Sequence, residues 1–307
     1  MDIDIEIGRP QMMTTTPHFT LNNGVKIPAL GLGVLGRETP ELVVPAVEKA
    51  IATGYRLIDT AASYGNESQV GEGLARSGIK RSEMFITTKL WLTHYGYDSA
   101  RRGFDASLRR LGLDYVDLYL LHWPVPSAFD DTIQAYKAAE MSLKDGRARA
   151  IGVSNFSPAH LQNLLQQVET VPAVNQIELH PLFNQQAARD VHARLGILTE
   201  AWAPLGNSVR KFGDKSADPL TNPVIVSLAK KHGKTPAQIV LRWHIEHGTC
   251  VIPKSFTPAR IAENINVFDF ALAQEEVASI DALNTAKRSG PDPDTVHAKT
   301  FPITVED

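Results

Sequence analysis

The sequence has a single cysteine, Cys250, in 307 residues. An internal disulfide is excluded, and a small side chain beside Val251 reads as a buried core position in a reducing compartment, not as a reactive thiol. No basic surplus exists: 31 Lys and Arg stand against 34 Asp and Glu, a formal net charge of -3. Nucleic acid is therefore not expected as a partner, because no basic excess is available to neutralise its backbone. No apolar run approaches the roughly 18 residues of a membrane span, so no membrane contact is expected. Residues 1–17 lack the basic start and apolar centre of a secretory signal and read as a loose extension. Also missing are H-x-H, H-E-x-x-H and paired cysteines, the spacings that gather metal ligands, so no metal is expected.

What is present is a regular alternation of short apolar runs and longer amphipathic segments. An opening hairpin is expected from His18 to Leu21 and Val25 to Ile27, joined by Asn22-Asn23-Gly24, whose residues tolerate positive φ. Eight strands follow, at Ala29 to Val34, Arg56 to Asp59, Met84 to Lys89, Val116 to His122, Ala150 to Ser154, Ala173 to Glu178, Ile197 to Ala203 and Cys250 to Pro253. Their apolar runs suit strands covered on both faces. Helices such as Pro40 to Ala52, Ser68 to Arg76, Ser99 to Leu111, Thr132 to Lys144 and Pro158 to Val168 supply the crossovers. Thr39-Pro40, Ser157-Pro158, Thr235-Pro236 and Thr257-Pro258 each place a capping hydroxyl before a proline at a helix start. Eight βα repeats with no linker between them predict an α/β fold, a single (β/α)8 TIM barrel over 18–307 with an N-terminal β-hairpin and a C-terminal loop and tail.

Active sites of such barrels form at the carboxyl ends of the strands. Asp59, Lys89, His122, Ser154-Asn155, Gln176, Glu178, Trp202 and Lys254 all fall there, with Tyr64 in the loop after Asp59. Singly, each has an ordinary structural reading: a capping Asp, a packed Tyr or Trp, a satisfied His. Together, Asp59, Tyr64, Lys89 and His122 make an acid-base set. Lys89 is expected to lower the pKa of the Tyr64 phenol, Asp59 to hold Lys89 charged, and His122 to hydrogen-bond a substrate oxygen while Tyr64 donates its proton.

Three motifs compete. Gly31-Leu32-Gly33-Val34-Leu35-Gly36 fits G-x-G-x-x-G, with Asp59 ending the next strand, as in a Rossmann dehydrogenase. Thr39-Pro40, however, starts the helix beyond Gly36, so the glycines are expected to admit a ligand at the first strand end. Gly233-Lys234-Thr235 imitates a P-loop, but Leu228 stands where its first glycine belongs. Asn66-Glu67-Ser68 and Asn155-Phe156-Ser157 match glycosylation acceptors without a secretory context.

Ile58-Asp59-Thr60-Ala61 with Tyr64-Gly65-Asn66-Glu67, Thr87-Thr88-Lys89-Leu90-Trp91 and Leu121-His122-Trp123-Pro124 resemble the segments that carry the catalytic tetrad of the aldo-keto reductases, from about Phe19 to the last helices. The resemblance implies NADPH-dependent reduction of aldehydes and ketones by hydride transfer, with NADPH/NADP+ as cofactor and Asp59, Tyr64, Lys89 and His122 as catalytic residues. It implies that Ser154, Asn155 and Gln176 hold the nicotinamide, that Trp202 stacks on it, and that Gly33 and Leu205 adjoin the cofactor. Lys254, Ser255, Arg260, Glu263 and Asn264 resemble the 2′-phosphate and adenine site. Several segments, among them Val171-Pro172-Ala173-Val174-Asn175-Gln176-Ile177-Glu178-Leu179-His180-Pro181, look most like bacterial 2,5-diketo-gluconic acid reductase-type members, which act on small keto sugars, keto esters and dicarbonyls such as methylglyoxal. Val34, Leu35, Trp91 and Trp123 are expected to line an apolar substrate pocket. Arg210, Lys211 and Lys215 either fold over the cofactor pyrophosphate or form a solvated turn. The partner is expected to be a small carbonyl compound, and the protein a cytoplasmic monomer. A sensing module like the potassium-channel β subunits of the same family is the alternative; the chain lacks a long basic or amphipathic arm for such docking.

Overall fold

A computed structural model describes residues 16–206, 218–297 and 299–306. Strands β1 (His18–Thr20) and β2 (Lys26–Pro28) pair antiparallel, His18 opposite Pro28, and Gly24 turns between them at φ 84°. The side chains of Asn22 and Asn23 donate to the carbonyls of Pro172 and Arg149, just before the sixth and within the fifth barrel strand. Leu21 and Ile27 are buried against inward residues of the barrel, including Leu57, Phe85, Leu118 and Cys250. The hairpin thus closes the amino-terminal end of the barrel, opposite the end where the polar residues gather.

The barrel strands are β3 (Leu32–Gly33), β4 (Leu57–Asp59), β5 (Phe85–Leu90), β6 (Val116–Leu121), β7 (Ala148–Ser154), β8 (Val174–Glu178), β9 (Leu198–Trp202) and β10 (Cys250–Val251). Each pairs in parallel with the next in order. The first and last are joined by parallel bridges Leu30 to Val251 and Gly33 to Lys254, so the sheet closes on itself. Closure replaces the open sheet of the Rossmann alternative. Strand ends fall within two residues of the expected bounds except at the first, which begins at Leu32, three residues after Ala29, and the first and last are the most shortened. Pro253 has no N–H to give a ladder, and only scattered bonds, such as Gly31 N to Val251 O at 2.8 Å, hold that seam.

Gly33 owes its identity to this seam. A Cβ there would stand 2.8 Å from the Ile252 carbonyl oxygen, one at Gly31 would meet Leu57, and one at Gly36 would meet Phe256. Close protein packing is therefore reason enough for each of these glycines.

Two apolar layers follow from the period-2 alternation of the strands. In β6, Leu118 and Leu120 point into the barrel, whereas Tyr119 and Leu121 face the helices. Helices α1 (Val43–Thr53), α2 (Glu67–Ser77), α3 (Tyr97–Leu111), α4 (Phe129–Lys144), α5 (Pro158–Leu165) and α6 (Gln186–Leu195) cover the outside, followed by helices over 223–232, 236–246, 258–264 and 274–281. α1 is preceded by a 3-10 turn from Pro40 to Leu42, and α5 stops short of Val168. Ser157 and Thr235 cap their helices as expected, each accepting from the third residue on; Thr39 and Thr257 make no side-chain cap bond. The P-loop imitation is a helix junction: Gly233 ends one helix at φ 62°, Thr235 caps the next, and Lys234 pairs with Asp269 at 2.6 Å. Asn66 and Asn155, the two glycosylation matches, are both buried. No helix among the described residues is long and apolar enough to cross a membrane.

Candidate active site

The carboxyl ends of the strands bring the expected acid-base set together. Asp59 ends β4, Lys89 is the penultimate residue of β5, and His122 directly follows β6. Tyr64 ends a 3-10 turn, Ala62–Tyr64, which Gly65 terminates at φ 66°. The turn is anchored by buried Asn66, which accepts from Thr60 Oγ1 at 2.7 Å and donates to the Val34 carbonyl at 2.7 Å. Lys89 is fully buried; its Nζ donates to Asp59 Oδ1 at 2.5 Å and to the Thr60 carbonyl at 3.0 Å, and lies 5.1 Å from the centre of the Tyr64 ring. The Tyr64 and His122 rings meet edge to face at 5.8 Å.

Burial dominates the electrostatics of this cluster. It raises the Asp59 carboxyl, against the opposing pull of Lys89. For Lys89, burial works downward, but Asp59, Tyr64 and a further acid, Glu200, outweigh it and hold the ammonium charged. The Tyr64 phenol is raised by burial, and the charge and hydrogen bond of Lys89 offset only part of that rise. This corrects the expected lowering: Lys89 acts in the anticipated direction, yet the site keeps the phenol protonated at neutral pH, the form a proton donor requires. His122 is pushed well below its ordinary value, first by burial and then by Lys89, so its imidazole is neutral.

A second row of side chains runs along the ends of β7, β8 and β9. Asn155, at φ 65°, donates to the His122 carbonyl at 3.0 Å and to Ser154 Oγ at 3.1 Å, and accepts from Trp202 Nε1 at 2.8 Å. Ser154 Oγ donates to the Gln176 carbonyl at 2.8 Å. The Gln176 amide nitrogen donates to Asp59 Oδ2 at 2.9 Å and to Glu200 Oε2 at 2.7 Å, tying this row to the acid-base cluster. Trp202 is half-buried with its indole held by Asn155. Gly290 passes so close to it that a Cβ would lie 2.6 Å from the ring. Leu205, also half-buried, packs against the outer core.

Beyond β10, Lys254 and Arg260 are exposed, and Lys254 Nζ sits 4.1 Å from the Phe256 ring centre. Ser255 is buried and accepts from Thr257 N; Asn264 is buried. Glu263 accepts from the Thr235 hydroxyl at 2.8 Å, a bond between helices. The basic residues Arg210, Lys211 and Lys215 lie outside the described residues, as does most of the extension 1–17.

Of the expected pocket residues, Trp91 and Trp123 flank His122, Trp91 edge-on at 5.2 Å and Trp123 stacked at 6.4 Å, and Leu35 is exposed. Val34 is the exception: it is wholly buried in the layer between sheet and helices. The C-terminal tail supplies the missing wall, which sequence periodicity did not foretell. Phe301 packs on Trp91 and Trp123 at 5.6 and 5.9 Å, Trp91 Nε1 donates to the Ile303 carbonyl at 3.1 Å, and Val296 is buried beside them. Upstream, the tail is latched to buried Glu178, whose carboxylate accepts from the Ser289 N–H and hydroxyl and from the Gly290 N–H. Glu200, fully buried, was also missed; an acid inside a strand pattern carries no signal of its own.

The comparisons agree with this geometry. Residues 29–285 match the sequence model of the Aldo/keto reductase family. The chain is 54% identical over 294 residues to morphine 6-dehydrogenase of Pseudomonas putida, covering 94% of this chain and 99% of that one. It is 47% identical over 274 residues to methylglyoxal reductase DkgA of Escherichia coli, covering 89% and 96%. A crystal structure of a Bombyx mori aldo-keto reductase in complex with NADP superposes with a TM-score of 0.84 at 37% identity, covering 91% of this chain and 96% of that one. A closed parallel barrel with Asp59, Tyr64, Lys89 and His122 gathered at its carboxyl mouth is thus found in a chain that belongs to the aldo/keto reductase family.

Proposed function

We propose that this chain reduces small aldehydes, keto sugars, keto esters and dicarbonyls such as methylglyoxal with NADPH, and that Tyr64 gives the proton. As an aldo/keto reductase it is an NADP-dependent oxidoreductase; the finer assignment is ours. The observation that carries it is the fully buried Lys89 between Asp59 Oδ1 and the Tyr64 ring. An ammonium so placed has no surface role, and it stabilises the phenolate left when Tyr64 loses its proton.

The residues present fit the cofactor. Trp202 offers a half-buried aromatic face locked by Asn155, and the Gln176 amide, with its nitrogen committed to two carboxylates, has its oxygen left to accept from an amide group. Lys254 and Arg260, both exposed, are candidates for the 2′-phosphate, with Ser255 and Asn264 beside them. When bound, reduced nicotinamide supplies the hydride. Neutral His122 donates an imidazole N–H to the substrate oxygen and orients it. Tyr64 passes its proton to that oxygen, Lys89 holds the resulting negative charge, and Asp59 keeps Lys89 in place. Trp91, Trp123 and Phe301 exclude water from the reacting carbonyl. Residues 18–307 form the single catalytic domain in this reading, acting as a cytoplasmic monomer.

The test is NADPH oxidation against a panel of aldehydes, keto sugars and α-dicarbonyls. Turnover of several of these supports the proposal, and turnover of none overturns it. The identity to morphine 6-dehydrogenase and the aromatic wall favour one further candidate, a polycyclic secondary alcohol oxidised with NADP+, which belongs in the same panel.

The double variant Lys254→Ala with Arg260→Ala should weaken NADPH binding by about 100-fold while changing NADH by less than about threefold, because only NADPH carries the charged phosphate that directed cations hold. Fluorescence titration with both cofactors checks this; equal losses would remove both residues from the phosphate site.

A further inference from the structure

Glu200 takes no part in the steps above, yet it is fully buried beneath them. Strand register sets it directly between Gln176 of β8 and Cys250 of β10. The Gln176 nitrogen gives one proton to Asp59 Oδ2 and the other to Glu200 Oε2, and the Cys250 thiol lies between two acceptors, the Pro28 carbonyl at 3.3 Å and Glu200 Oε1 at 3.5 Å. The charged and titratable groups facing Glu200 are therefore Asp59 from β4, Lys89 from β5, Tyr64 from the turn after β4 and Cys250 from β10. Two carboxylates share one ammonium, and all three groups are buried. We propose that Glu200 is a positioning residue of this active site: joined to Asp59 through the Gln176 amide, it fixes the orientation of that amide, and its ionisation governs how readily Tyr64 releases a proton. The inference rests on Tyr64 being the donor.

Burial, reinforced by repulsion from Asp59, pushes the Glu200 carboxyl up to about 7. When it ionises, the added negative charge raises the Tyr64 phenol further, making a weaker donor. Carbonyl reduction should slow as pH climbs through neutrality. Linkage gives a second, independent readout. A carboxyl raised above its ordinary value holds its proton more tightly in the folded chain than in the unfolded one. Its stabilising contribution is therefore complete below that ordinary value and is lost as pH rises through about 7.

Glu200→Gln removes the charge and keeps an oxygen able to accept from Gln176. With kcat for reduction measured from about pH 5.5 to 8.5, the wild type should fall by about threefold and Glu200→Gln by less than about 1.5-fold. Without cofactor, the variant should melt at least about 3 °C above the wild type at alkaline pH, and this gain should vanish in acid. Parallel pH profiles, or a melting difference that does not change with pH, would overturn the proposal. Tyr64→Phe, measured alongside, separates the two readings: if it keeps turnover, the donor assignment fails and takes the kinetic role of Glu200 with it. If it is inactive while Glu200→Gln tracks the wild type, only the proposal for Glu200 fails.

Discussion

Tyr64→Phe lowers kcat for aldehyde reduction by about 100-fold to 10,000-fold and leaves the affinity for NADPH within about threefold of the wild type. The ring persists in the variant, so its edge contact with His122 and the Lys89 ammonium beside it need not move. Only the proton that the developing alkoxide requires is gone. Steady-state kinetics on the best aldehyde of the panel, with cofactor titration by fluorescence, separate the two quantities. Near-normal kcat would sink the assignment, because His122, neutral and with a single N–H to offer, would then be the donor.

Lys89→Met abolishes turnover and also costs about 3–5 kcal/mol of stability, the usual penalty for leaving one member of a buried ion pair without its partner. Asp59 and Glu200 would then share the Gln176 amide with no cation near them. The pH dependence identifies the cause. Without Lys89 the Asp59 carboxyl rises further above its unfolded value, so the folded chain takes up a proton that the unfolded chain releases. Stability is then greatest at low pH and is lost as pH increases through the folded value. Melting curves between about pH 4.5 and 8.5 should show a deficit largest in alkali and smallest in acid. A deficit independent of pH would point to lost packing of the lysine stem instead of an unpaired carboxylate.

The barrel was legible because its signals are local and repeated. Short apolar runs alternating with amphipathic helices placed every strand but the first to within about two residues, and Asp59, Lys89 and His122 stood at recognisable strand ends. The same local reading went astray where a side chain depended on a distant neighbour. At Gly33 the missing Cβ answers the carbonyl of Ile252, more than 200 residues away, a requirement that no local pattern records. Val34 looked like a pocket wall, yet the pleat turns it to the core. Thr39 and Thr257 precede prolines as cleanly as Ser157 and Thr235 do, and only the latter pair bonds its helix.

The sign of the Tyr64 shift is the clearest division between the two levels. From residue types alone, a lysine beside a phenol lowers its pKa; the balance against burial depends on how much water the folded mouth admits and on a second acid, Glu200, contributed by the opposite wall. The tail shows the same limit. Nothing periodic marks residues 286–306, and their place over Trp91 comes from Glu178, Phe301 and Ile303 meeting partners far along the chain. Sequence alone settled the alternation of strands and helices and the placing of Asp59, Lys89 and His122 at strand ends, since hydrophobic period and strand-end position are properties of neighbouring residues, whereas closure of the sheet came from bridges between its first and last strands. Tertiary structure alone decided the charge state of that set, the wall that faces it and the hidden carboxylate beneath it, since desolvation and Coulomb interaction depend on distances through space, which no spacing along the chain records.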